Sequence, residues 1–129
     1  MEAHLSSSKC GVKRLGRQGE VFAEVYLKSK GYQVIERNFR IRTGEVDLIA
    51  VEGKTICFIE VKTRRSLEKG DGLAAISQQK KHRISQAAQF FLQERGWDHK
   101  SARFDVLAIF VGSDSSLEYD LIQNAFEVT

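Results

Sequence analysis

Gly44-Glu-Val-Asp-Leu-Ile-Ala-Val51 and Ile56-Cys-Phe-Ile-Glu-Val-Lys-Thr-Arg64, joined through Glu52-Gly53-Lys54-Thr55, decide how this chain folds. Both halves are rich in Val, Ile and Phe, which suit a pleated surface, and Gly at the first position of a two-residue connection suits a tight turn. The stretch therefore predicts a β-hairpin. Side chains alternate faces along a strand. That groups Glu45, Asp47, Ile49 and Val51 on one face of the first strand, and Ile56, Phe58, Glu60 and Lys62 on one face of the second. With Gly53-Lys54 as the loop, Glu52 faces Thr55, and counting outward sets Asp47 opposite Glu60 and Glu45 opposite Lys62. Directly opposed side chains stand about 5 Å apart at Cβ. Two carboxylates at that range repel unless a cation lies between them, whereas Glu45 and Lys62 can pair.

Upstream of the hairpin, Leu15 to Lys30 has the periodicity of an amphipathic helix, with Gly19, Phe22, Ala23, Tyr26 and Leu27 on one face and Gly31 as its stop. Glu20 falls at the edge of that face. It is either an acid favoured by the helix dipole or a carboxylate looking into a cleft. Tyr32 to Arg40 predicts a first strand, and Arg37, Arg40 and Arg42 lead from it into the hairpin. Their guanidinium forks suit phosphates; an arginine-rich edge strand that resists aggregation is the equal alternative.

Downstream, Thr63 to Gly72 is polar and carries Arg64, Arg65 and Lys69, which predicts a mobile loop beside the hairpin's acids. Leu73 to Ile76 suits a helical turn. Ser77 is the expected N-cap of a helix over Gln78 to Arg95, stopped by Gly96 and buried along Ile84, Ala87, Ala88, Phe91 and Leu92. Gln79, Lys80 and Arg83 lie on its polar side near the N-terminus, an end that favours anions, although most such faces only meet solvent. Arg103 to Val111 is nearly all apolar, as a strand covered on both faces must be. The connection to it from the second hairpin strand contains a helix, so those two strands are expected to run parallel. Leu117 to Phe126 alternates as a last edge strand. Asp105, an acid inside the most apolar strand, needs a partner such as an arginine.

The 129 residues fit one domain, expected over residues 14–129 behind a flexible leader at 1–13. No apolar run approaches membrane-spanning length and Met1 to Gly16 lacks the core of a signal peptide, so the expected location is the cytosol, with no membrane contact. Cys10 and Cys57 suggest neither a disulfide nor a thiolate metal site, and His4, His82 and His99 are scattered. Oxygen ligands remain as the plausible metal chemistry. Residues 1–90 hold 17 Lys/Arg against 10 Asp/Glu, and residues 91–129 hold 3 against 7. The basic part contains the hairpin, which favours a polyanionic partner over a merely solvated surface only when joined to other signals.

Asp47 and Glu60 offer the hard carboxylate oxygens that Mg²⁺ or Mn²⁺ takes, and Lys62, two residues on, shares the Glu60 face, where it can serve a water and offset charge on a phosphate. Glu-x-Lys alone is more often an ion pair; the acid on the preceding strand raises it. Gly44-Glu-Val-Asp-Leu-Ile-Ala50 with Phe58-Ile-Glu-Val-Lys-Thr-Arg64, preceded by Gly19-Glu20 and Arg37-Asn38 and followed by Arg103-Phe-Asp105, resembles the YraN family of small bacterial proteins over about residues 14–129. That family is grouped with restriction-endonuclease-like nucleases of the PD-(D/E)xK type and is similar to Holliday junction resolvases. The resemblance implies an α/β fold with an αβββαβ core, its mixed central sheet flanked by helices. It also implies Asp47 and Glu60 as metal ligands, Lys62 for the attacking water, and Glu20 as the helix-borne acid. Val46 stands where that superfamily often has proline. The implied function is Mg²⁺- or Mn²⁺-dependent cleavage of DNA, at branched structures or junctions. The competing readings are a nucleic-acid-binding accessory protein with a vestigial site, and a scaffold whose acids are ordinary ion pairs. By analogy a symmetric junction would suit a homodimer with two active sites.

Overall fold

The computed structural model describes residues 9–66 and 76–127, with side chains from Gly19 onward. In chain order these form α1 (Lys9–Ser29), β1 (Gln33–Ile41), β2 (Gly44–Glu52), β3 (Thr55–Arg65), α2 (Gln78–Arg95), β4 (Ala102–Val111) and β5 (Leu117–Phe126). The strands make one mixed sheet in the order β1-β2-β3-β4-β5, in which only β3 and β4 run parallel. The α/β class, the αβββαβ order and the parallel β3–β4 pair are therefore as the sequence implies. A crossover that contains α2 is what lets two sequential strands run the same way.

The two faces of the sheet carry separate cores. On one, Ile84, Ala87, Ala88 and Phe91 of α2 pack on Ile49, Ile56, Phe58, Phe104 and Val106. On the other, Ala23 and Leu27 of α1 pack on Leu48, Ala50, Cys57, Ile59, Leu107 and Ile109. β4 is buried on both faces, as its composition requires. α2 matches its expected bounds because its caps are written locally: Ser77 Oγ accepts the Lys80 N–H at 3.0 Å, and Gly96 takes φ 69° to close the far end.

Several expectations need correction. α1 begins at Lys9, so only residues 1–8 of the expected leader lie outside the described residues. Phe22 is 38% exposed beside the exposed Val21 and Val25, because the stripe that meets the sheet runs through Gly19, Ala23 and Leu27. β3 continues to Arg65, its ladder with β4 holding it extended through the start of the expected loop. Residues 67–75, with the rest of that loop and all but Ile76 of the turn expected at Leu73 to Ile76, lie outside the described residues.

Candidate active site at the opening of the hairpin

The two-residue turn forms as counted, with Gly53 at φ 62° and Glu52 opposite Thr55. The β2–β3 ladder then runs in register as far as Leu48 and Ile59 and stops. Beyond it the Val61 N–H, which would otherwise bond a β2 carbonyl, donates to Asp47 Oδ2 at 2.8 Å. Strict alternation also fails here. Val46 packs with Ile49 in the α2-side core, although alternation would place it with Leu48 on the α1 side, so Glu45, Asp47 and Ile49 do not share one simple face. The neighbouring strand is distorted at the same level without losing register: Asn38, between the paired residues Arg37–Leu48 and Phe39–Val46, takes φ 51°, a left-handed conformation that asparagine tolerates. The sheet thus opens at Asp47 and turns its carboxylate toward β3.

Asp47 and Glu60 lie close enough to share a hydrogen bond. Burial, and then the Glu60 charge, push the Asp47 carboxyl up to about 7, against the Val61 N–H and Lys80, which pull it down. This is what two neighbouring like charges, one buried and one half-buried, do to each other. Glu60 is 8% exposed, and Lys80 Nζ stands 3.0 Å from its Oε2. Burial alone would lower the Lys80 ammonium, but the Glu60 carboxylate, helped by Asp47 and Glu45, holds it above its ordinary value. Lys62 is shifted down, by burial first and by Arg64 second, toward the neutral amine that can take a proton. Glu20 approaches from α1: burial raises it, a hydrogen bond with Asn38 opposes this, and Asp47 adds to the rise.

Glu60, Lys62 and Lys80 line a cavity of about 400 Å³ together with Thr63, Arg64 and Ser77 among others. Among the described residues one carboxylate faces three cations there, at the N-terminal end of α2, a balance that suits an anion. Helix position follows from Gly44. A Cβ on it would stand 2.0 Å from the Arg83 carbonyl oxygen, so the first turns of α2 ride directly on the start of β2.

The structure brings Asp47, Glu60, Lys62 and Lys80 together, with Arg64 on the cavity that Glu60, Lys62 and Lys80 line, while Glu20 of α1 acts on Asp47 from outside that cavity. Among the described residues no group of three or more His, Cys, Asp or Glu converges as a metal cage, so Asp47 and Glu60 stand as a pair. Glu45 meets Arg40 at 3.6 Å and Arg83 at 3.9 Å, partners that the hairpin count does not supply. Arg37 is drawn away, its Nε 2.8 Å from Glu24 Oε1 on α1. Arg42 and Gln79 are exposed, and Arg65 is half-buried at the end of β3. Sequence reasoning placed Arg83 on the polar side of α2 without giving it a role, and it missed Ser77 as a cavity wall and the packing role of Gly44. Arg83 lies one turn beyond Gln79 and Lys80, and that spacing is the signal that points to it.

Asp105, the other buried acid, accepts from Arg103 Nε at 3.0 Å, from the Tyr32 hydroxyl at 2.9 Å and from the Asn124 N–H at 2.8 Å. Its predicted arginine is therefore present. Arg103 also reaches Glu52, at the turn end of the hairpin.

No helix among the described residues is long and apolar enough to cross a membrane. Residues 19–109 match the family described as uncharacterised protein family UPF0102. Similar relatives include UPF0102 proteins of Geotalea uraniireducens, 44% identical over 123 residues with 95% of this chain and 97% of the relative covered, and Chlorobium phaeobacteroides, 49% identical over 110 residues with 83% and 87% covered. A third, from Geobacter sulfurreducens, is 45% identical over 116 residues with 90% and 91% covered. With near full-length relatives of that similarity and a family match spanning both strands of the hairpin and α2, the chain belongs to the uncharacterised protein family UPF0102.

Proposed function

We propose that this protein is a Mg²⁺- or Mn²⁺-dependent nuclease that hydrolyses phosphodiester bonds in DNA, with branched or junction DNA as the substrate class and the restriction-endonuclease-like arrangement as its framework. The observation that carries this reading is the opening of the sheet at Asp47. It leaves two neighbouring carboxylates, Asp47 and Glu60, next to a cavity whose other charged groups among the described residues are Lys62, Arg64 and Lys80.

The donor set fits a hard divalent ion. Asp47 and Glu60 offer carboxylate oxygens, their mutual repulsion falls when a cation enters, and the open cavity leaves room for the waters that Mg²⁺ retains. Such an ion, when bound, supplies Lewis acidity toward a phosphoryl oxygen and lowers the pKa of water. The chain's own residues supply the rest. Val61 N–H fixes the Asp47 carboxylate. Lys62, on the same cavity wall two residues after Glu60, is placed to orient the attacking water and to offset charge on the phosphate. Arg64 and Lys80 border the space where the phosphate sits, and Arg40 and Arg83, both partly exposed, offer contacts to flanking phosphates. Glu20 borders the site from the other face of the sheet. The protein would act in the cytosol, and a homodimer would match a symmetric junction with two sites.

Cleavage of duplex, single-stranded, flap and four-way-junction DNA with Mg²⁺ or Mn²⁺ tests the proposal. Asp47→Ala and Glu60→Ala should abolish cutting while DNA binding largely persists. Binding without cutting under either ion would favour a non-catalytic accessory role. Absent or salt-insensitive DNA binding would refute both nucleic-acid readings.

A further inference from the structure

The acid pair already has a cation beside it, and the chain supplies that cation itself. Lys80, in the first turn of α2, holds Nζ 3.0 Å from Glu60 Oε2. The Glu60 side chain is 10% exposed and Lys80 is 42% exposed, so the carboxylate is fixed in the wall while the ammonium stands on a flexible stem at the mouth. A divalent ion on Glu60 and an ammonium on the same oxygen repel each other, and only the ammonium has somewhere to go. Lys80 lines the same cavity as Lys62, Arg64 and Ser77, so rotation of its stem carries Nζ from the acid into the anion-favouring space without moving the helix. We propose that Lys80 is a displaceable counter-cation, which neutralises Glu60 in the metal-free protein and turns onto a DNA phosphate when a divalent ion takes the carboxylates. This rests on the reading of Asp47 and Glu60 as metal ligands and adds a coupling between the two ligands: metal binding frees one phosphate contact.

Lys81, the next residue, cannot substitute, because its Nζ lies over the Phe126 ring at 5.8 Å, on the core side of the helix. Arg83 is engaged with Glu45. Among the described residues Lys80 is thus the cation whose ammonium stands on a Glu60 oxygen, and its removal should change metal affinity.

Calorimetric titration of Mn²⁺ into the DNA-free protein tests this directly. Lys80→Met removes the competitor and should tighten Mn²⁺ binding on the order of tenfold, while Lys80→Arg, which keeps a cation, should stay near wild type. A matching urea midpoint for the variants confirms that the fold is intact. Wild-type binding that Lys80→Met leaves unchanged or weakens would overturn the counter-cation and leave the metal site standing. No Mn²⁺ binding by wild type would overturn both. The second arm reads junction DNA binding against salt. In Ca²⁺ the wild-type dependence should be steeper than that of Lys80→Met by about 0.9, the slope of one phosphate contact, and in EDTA the two should coincide. Coincident slopes in both conditions would overturn the transfer to phosphate.

Discussion

Asp47→Asn should make the protein more stable and functionally dead, and the gain should depend on pH. In the metal-free wild type the Asp47 carboxyl is raised from 3.8 to about 7 by burial and by Glu60. A carboxyl raised in the folded state contributes stability that is fully present below its unfolded pKa and lost as pH climbs through the folded one. Between about pH 4 and pH 7, then, the wild type loses stability at this site. The full difference corresponds to a ceiling of about 4 kcal/mol. Proton sharing with Glu60 and the nearby Lys80 ammonium reduce what is realised to about 1–3 kcal/mol. Asparagine keeps the geometry, since its oxygen can accept from the Val61 N–H and its amide can donate to Glu60, but it carries no charge. Urea denaturation in EDTA, followed by Trp97 fluorescence, should find the two proteins nearly equal below about pH 4, with the gap opening as pH rises through about 5 and 6. At pH 8 the Asp47→Asn variant should be ahead by about 1–3 kcal/mol, or roughly 3–10 °C in Tm. Added Mn²⁺ should narrow or reverse the gap by stabilising the wild type alone. If Asp47→Asn gains nothing between pH 5 and pH 8, the carboxylates do not repel and the geometric basis of the site fails.

Gly44→Ala places a Cβ 2.0 Å from the Arg83 carbonyl oxygen, which is backbone and cannot rotate aside. It should cost roughly 2–4 kcal/mol by urea denaturation, and an unaltered midpoint would show that α2 does not ride on β2. Tyr32→Phe deletes the hydroxyl that donates to Asp105 and accepts from Arg103 and Gln123. A loss of about 1–3 kcal/mol is expected, with DNA cleavage unchanged because the network lies at the turn end of the hairpin. Ser85 Oγ is buried without a hydrogen-bond partner among the described residues. Ser85→Ala should therefore raise the thermal midpoint, by the equivalent of about 1 kcal/mol, and a fall would show that the hydroxyl is satisfied.

Signals within a few residues of each other made much of the fold legible. Ser77 and Gly96 set both ends of α2, because a cap acts on the N–H and C=O groups of its own helix. Gly53-Lys54 set the hairpin register, because a two-residue turn leaves one way to pair the strands. The apolar run of β4 required burial on both faces, and its link through a helix required a parallel neighbour. The identity of the acids came from the same count, but the ladder that would pair them ends at Leu48 and Ile59, so Asp47 comes near Glu60 through the break in pairing and not through the register.

Sequence by itself thus determined the strands, the helices, the turn and the identity of the acids. Tertiary structure alone decided how those acids are used. No local pattern announced that the sheet would open at Asn38 and Asp47, since that break depends on a side chain on β2 capturing an N–H of β3. Glu45 was assigned to Lys62 by counting, yet its distances run to Arg40 and Arg83, because α2 crosses over Gly44 and brings a cation that no strand register contains. Phe22 fitted the stripe of α1 but stayed exposed, because the angle of a helix on a sheet selects which flank is covered. Lys80 on Glu60 is the same kind of fact. Periodicity fixes which way a side chain points along its own element, and only the packing of one element on another fixes what it meets.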